Sequence, residues 1–338
     1  MNTKIKMCSM LLGLALFAAC SSDNDNDEIV TPPQPKSYPL IIEVSENPMI
    51  PEGGAASAPA SRAPITTISS LNSFNMNYVY NKNGFETGSE SATKTTEGKW
   101  QNSEGSDKGW PSATVEGDLM VTWYAYTNGT FNLNGGNPYI SFEGEEYADV
   151  QHDLLVATTA NKWSICQGLL SFTFDHACSA LRFYVKKSTN LNAYTLKVRS
   201  IKLRNIVNQG KYMLTTNTWD IGTHRTEYTL YDGSAVELGS AADAYTPIYG
   251  TYGTVAEPYL FLIPQTLSAW NTTSDIVSTT LAYLEIDCTI TDSNSTVIHD
   301  GTAYIPFAAT LEKGTQRDVK INIGKNSLYS GPNTKIIN

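Results

Sequence analysis

Leu284-Glu285-Ile286-Asp287-Cys288-Thr289-Ile290 sets the reading of the chain, because its apolar residues fall at every second position. Successive side chains on a strand point to opposite faces. Leu284, Ile286, Cys288 and Ile290 therefore share one buried face, and Glu285, Asp287 and Thr289 face water. A helix would need its apolar residues three and four apart. Other runs keep the same period. Leu181, Phe183 and Val185 alternate with Arg182, Tyr184 and Lys186; Val319, Ile321 and Ile323 alternate with Lys320 and Asn322. Leu119, Val121, Trp123 and Ala125 alternate with Met120, Thr122 and Tyr124, and there both faces are fairly apolar. One face in and one face out is the requirement of an antiparallel sandwich.

Between Leu196 and Leu203 the phase slips. Leu196 and Val198 share a face, but the apolar set resumes one residue late at Ile201 and Leu203. A bulge near Arg199-Ser200 restores the facing. The composition agrees with an all-β chain: 19 Tyr, 10 Phe, 6 Trp and 24 Gly, with little helical periodicity. About 300 residues lie beyond the N-terminal tether, more than one core usually serves, so two tandem sandwich domains are expected. The division is placed near Gly168, giving an N-terminal domain over 38–168 and a C-terminal domain over 169–338. The polar stretches Asn81–Gly117 and Asn128–Asn137 read as decoration and turns. Short helices are expected at Thr66–Ser73 and Asn271–Ser278.

The N-terminus carries an address. Lys4 and Lys6 precede an apolar run over residues 7–19. Thirteen residues rising about 1.5 Å each cannot cross a hydrocarbon core of roughly 30 Å, so this is a signal h-region, not a membrane helix. It ends in Leu16-Phe17-Ala18-Ala19-Cys20, which resembles a lipobox: small residues pass the peptidase and the Cys20 sulfur takes the lipid. Residues 20–37 are acidic and then Pro-rich, too poor in apolar surface to fold, and read as a solvated tether. Asp23, Asp25 and Asp27 mimic a calcium loop, but Glu28 stands where the sharp turn needs Gly.

Two of the 23 basic residues, Lys4 and Lys6, leave with the signal peptide, so 33 acidic residues face 21 basic ones, a net charge of −12. That balance argues against nucleic acid or an anionic membrane surface as partner and leaves the lipid as the membrane link. Cys166, Cys178 and Cys288 remain in the globular part, an odd number without a CxxC pair; neither a zinc site nor a disulfide framework is indicated. Cys178 and Cys288 read as small core residues. No His-Glu-x-x-His, Gly-x-Ser-x-Gly, phosphate loop or dinucleotide fingerprint is present, so no catalytic residue, metal or cofactor is expected. His152, His176 and His299 each adjoin an Asp, but neighbours on a strand face opposite ways and make no dyad. Trp100, Trp110, Trp163, Trp219 and Trp270 either form a sugar-stacking platform or fill sandwich cores.

Four places together resemble the fimbrillin family, lipoprotein precursors of type V pili in Bacteroides-like bacteria. They are the lipobox with its tether; Pro39–Ser45 followed by a small-residue linker and Ile68–Tyr78; Asp153-Leu154-Leu155 with Leu170–Phe183; and Tyr259–Gln265 with Lys313–Ile323. The resemblance implies two transthyretin-like sandwich domains, few short helices, no enzyme activity, and a place on the outer membrane surface or in a fimbrium. It also implies proteolysis after a basic residue in the linker over 46–64. Arg62 is the only basic residue between Lys36 and Lys82. The cut removes the strand over 39–45, and another subunit's strand fills the vacated groove at Leu40, Ile42 and Val44. Gly324–Asn338 make a poor donor strand, which favours a tip or minor subunit over a stalk subunit. The expected partners are other pilus subunits, with a host or bacterial surface glycan or protein as adhesion target. The alternative is a surface lipoprotein that binds glycan and stays tethered through Cys20.

Overall fold

The computed structural model describes residues 38–51, 70–102, 109–147, 151–241, 245–248, 259–273 and 280–337. Cys20, Arg62, half of the expected helix Thr66–Ser73 and most of the expected helix Asn271–Ser278 lie outside them. The first ten strands are β1 (Ile41–Glu46), β2 (Ile50–Pro51), β3 (Ser73–Asn81), β4 (Phe85–Lys94), β5 (Trp100–Asn102), β6 (Val121–Tyr126), β7 (Thr130–Asn134), β8 (Asn137–Glu143), β9 (Leu155–Asn161) and β10 (Leu169–His176). Two short helices interrupt them, α1 (Ser112–Glu116) and α2 (Trp163–Cys166). Then follow β11 (Ser179–Lys187), β12 (Tyr194–Val207), β13 (Gln209–Met213), β14 (Thr218–Ile221), β15 (Arg225–Glu237), β16 (Thr246–Ile248) and β17 (Leu260–Leu262). The last are β18 (Thr266–Leu267), β19 (Tyr283–Asp292), β20 (Val297–Pro306), β21 (Ala309–Thr310), β22 (Thr315–Ile323), β23 (Tyr329–Gly331) and β24 (Thr334–Lys335).

The fold is all-β, as the alternating runs require. One sheet closes on itself as a barrel in the order β1-β10-β9-β6-β3-β4-β5, and β10, which follows Gly168, is part of it. A second sheet runs β15-β12-β19-β20-β23-β24 and packs against a sheet in the order β16-β11-β22-β2, with β17 also on β11. A fourth, β14-β13-β8-β7, covers the outer face of β6. Most neighbours are antiparallel, but β1 with β10, β11 with β22, and β2 with β22 are parallel.

The strands sit where they do because of what each face buries. On β19, Leu284, Ile286, Cys288 and Ile290 are all inside. On β12 the register slips between Val198 and Ser200 against both neighbours, so the bulge falls at Arg199. That returns Ile201 and Leu203 to the core beside Leu196 and Val198. β6 is apolar on both faces because it serves two cores. Val121, Trp123 and Ala125 fill the barrel, while Tyr124 and Tyr126 pack on Phe131 of the β7–β8 hairpin with ring centroids 5.9 and 6.5 Å apart.

Two expectations fail. Asn81–Gly117 is not mere decoration, since β4 pairs with β3 along its length from Phe85 to Thr93. Asn128–Asn137 holds β7 and the Gly135-Gly136 turn of a hairpin. The Trp residues fill cores. Trp110 packs on Trp123 at 5.8 Å and on Trp163 at 5.9 Å, and Trp219 packs on Phe142 at 5.7 Å. Trp270 is buried among Tyr283, Tyr304 and Tyr329.

Candidate strand-exchange groove

The barrel's first strand is held unequally on its two sides. Against β10 it forms six parallel pairs, Ile41↔Leu169 through Glu46↔Phe174. Against β5 it forms one, Ile42↔Trp100. On that second side β1 behaves as an edge strand, with few ladder bonds to break.

Its side chains explain why it stays. Leu40 and Ile42 are 9% and 7% exposed and Val44 is half-buried, all facing the barrel core that holds Leu170, Phe172 and Phe174. The outward residues Ile41, Glu43 and Ser45 are exposed. Ser171 donates to Glu43 at 3.2 Å, and Ser45 and Thr173 share a hydrogen bond of 2.9 Å.

Two glycines admit the start of the strand. Gly109, at φ 118°, brings its backbone so close to Tyr38 that a Cβ would lie 2.5 Å from the Tyr38 carbonyl oxygen. Gly168, at φ 87°, does the same to Pro39 at 2.3 Å. Both conformations belong to glycine, and the close approach lets Trp110 donate its amide to Tyr38 and Ile41 donate to Gly168.

Beyond Val44 the character of the groove changes. Glu46 is the last inward position of β1, and its Oε1 lies 2.9 Å from Nε2 of His176, the last residue of β10. The opposite ring nitrogen, Nδ1, is hydrogen-bonded to Asp153 just before β9. The side chains of His176 and Asp153 are 2% and 0% exposed. Burial disfavours charge on His176, yet the two flanking carboxylates, Asp153 foremost, outweigh it and hold the ring above its ordinary value. Burial in turn lifts Asp153 above the usual carboxylate range. Asp175, the sequence neighbour, points away and accepts from the Asn47 amide at 2.7 Å.

The segment then crosses to the other sheet. Met49 is buried in the second core, and Ile50-Pro51 pair in parallel with Thr315-Gln316 of β22. Residues 38–51 thus touch two sheets in succession. Among the described residues, no group of three or more His, Cys, Asp or Glu is arranged to hold a metal ion, and no helix is long and apolar enough to cross a membrane.

Sequence reasoning placed Leu40, Ile42 and Val44 on one face of one strand, and the structure brings all three to the barrel interior. It missed Glu46, Asp153 and His176 as a group. Period two put Glu46 on the face of Val44, but nothing local joins it to a histidine 130 residues away.

A search of curated protein sequences finds no match. Among solved structures the chain is similar to a fimbrial protein from Bacteroides vulgatus, at 18% identity and a TM-score of 0.53, covering 86% of this chain and 96% of that one. It is similar also to candidate cell adhesion proteins from Bacteroides ovatus (14% identity, TM-score 0.48, 87% of this chain and 95% of that one) and Bacteroides uniformis (14%, 0.41, 75% and 88%). At these identities the likeness to the first speaks for the fold alone. The fimbrillin-like family profile matches residues 64–337, which is most of the sequence, and the chain therefore belongs to the fimbrillin-like family.

Proposed function

We propose that the protein is a fimbrial or adhesion subunit of the cell surface, exported as a lipoprotein on Cys20 and activated by loss of its first strand. A protease cuts after Arg62, residues 20–62 leave with β1 and β2, and a strand from another subunit takes their place. The observation that carries this reading is the one-sided hold on β1: six pairs to β10, one to β5, and three apolar side chains in the barrel. Loss of such a strand exposes the β10 backbone and apolar pockets worth about 1.5–3 kcal/mol for each fully buried side chain. Adding a strand there restores both. The family match supports the same division, since it begins at Pro64, two residues past Arg62. The family is one of fimbrial and adhesion proteins rather than of enzymes.

An accepting rather than a donating role is favoured by residues 324–337. They fold back as β23 and β24 on β20, with Leu328 and Ile337 buried in their own core. A segment spent in its own sheet is not a free donor, which suits a tip or minor subunit.

Limited trypsin digestion of the soluble chain, expressed from residue 21, tests the proposal. Cleavage after Arg62 followed by uptake of an added peptide of residues 38–51 is expected, with Arg62→Gln blocking both. Quantitative cleavage that leaves a monomer unable to accept any strand would overturn it.

A further inference from the structure

The groove has a polar end that strand exchange alone does not require. The inward residues run Leu40, just before β1, then Ile42, Val44 and Glu46; Ile42 pairs with Leu170, Val44 with Phe172 and Glu46 with Phe174 of β10, and the Glu46 side chain reaches one rung further to His176. Three apolar rungs are followed by an ionic one. If β1 leaves, three of these four losses are apolar; the fourth strips one carboxylate from a histidine whose other nitrogen stays bonded to buried Asp153.

Resting on the strand-exchange reading above, we infer that the incoming strand must carry a carboxylate at the position of Glu46, two residues past an apolar-x-apolar-x-apolar run, and that His176 selects it. The partner is thus an extended segment inserted parallel to β10, with Asp or Glu at its inward fourth position. A merely hydrophobic strand fills the first three pockets and leaves His176 facing apolar surface, which a buried ring nitrogen tolerates poorly.

The groups around the ring fix how this depends on pH. Asp153 faces Nδ1 from the start of β9, and Glu46 faces Nε2 from β1. Cys178, in the turn after β10, lies beside Asp153, and its thiol is pushed well up by burial, so it stays neutral. Asp175 is engaged by Asn47 on the far side, and the Tyr212 phenol of β13, whose hydroxyl Lys313 contacts at 3.1 Å, stays protonated in the buried cluster. The charge that matters here is that of His176, held above its ordinary value by Asp153 and Glu46. With both nitrogens protonated the ring donates to two carboxylates. Once one proton is lost, Asp153 keeps the remaining N–H, and Nε2 turns a lone pair toward the incoming group. A carboxylate is then repelled, whereas an amide can donate to it.

The probe is a synthetic peptide of residues 38–51 added to the full soluble chain cut after Arg62, in native form and with Glu46→Gln or Glu43→Gln. The last is the control: Glu43 faces outward, so both variants lose one charge but only one loses the His176 contact. At pH 6 the Glu46→Gln peptide should bind about tenfold more weakly than the native peptide, the scale of one charge-assisted hydrogen bond, and Glu43→Gln within about twofold. At pH 9 the Glu46→Gln deficit should vanish or reverse. In a His176→Asn chain the native and Glu46→Gln peptides should bind alike at both pH values. Equal binding of the two Gln peptides at pH 6 would overturn the selection by His176 while leaving strand exchange intact. Failure of every peptide, native included, would overturn strand exchange and this inference with it. The peptide arms leave the protein unchanged, so misfolding of His176→Asn does not remove the test.

Discussion

Ile42 of β1 and Trp100 of β5 form the single residue pair that closes the barrel on that side. Trp100 itself rests on Phe74, ring centroids 4.8 Å apart, so the closure is made by side-chain packing more than by a ladder. A strand held this way is firm while its side chains are buried and has little backbone to unzip once its ends are free.

Truncating Ile42 should therefore matter only before the cut. Ile42→Ala leaves a cavity beside Leu170 and Phe172 and should cost about 2–5 kcal/mol in the uncut chain, read as a lower urea midpoint. After cleavage and removal of residues 20–62, wild type and variant are the same molecule and should unfold together.

Arg182 should be among the costliest residues to remove. It is 4% exposed, bonded to Asp318 at 2.7 and 2.9 Å, and lies 4.8 Å from the Tyr259 ring centroid. Arg182→Ala leaves Asp318 without this partner and should lower stability by about 3–5 kcal/mol in urea unfolding. Arg182→Lys should fall between, since an ammonium cannot reproduce the two-pronged contact.

The cysteines should separate by reactivity. Burial pushes the Cys288 thiol up to about 12 and that of Cys178 well above its ordinary value, while Cys166 is half-buried. With a thiol reagent at pH 8, Cys166 should label first in the native chain. Cys178 and Cys288 should label only on unfolding.

Stability of the uncut chain should decline between pH 6 and pH 9. His176 is held above its ordinary 6.5 in the folded protein, so its contribution is complete below that value and is lost as pH rises through the raised one. Glu46→Gln should flatten the decline, measured as the melting temperature across that range.

Much of this was legible in the sequence, and the exceptions have physical causes. The bulge at Arg199 was readable because one slipped residue reverses which side chains face the core. β4 was not, because Phe85–Lys94 is polar and only Glu90 and Ala92 along it are buried; it is a strand by virtue of β3. β1 was visible as a strand, but its parallel pairing with β10 joins residues 128 apart and has no local signal. The histidine site was legible only in part. Alternation rules out Asp175 as a partner and sends it outward to Asn47, but nothing local marks Asp153 and Glu46 as the groups that hold His176.

The claim that β1 yields its place to a neighbour is tested most directly by hydrogen exchange in residues 169–174. The uncut chain should protect this segment, the chain cut after Arg62 and freed of residues 20–62 should lose that protection, and adding a peptide of residues 38–51 should restore it. Protection that survives removal of the strand, or that no added strand restores, would contradict the account.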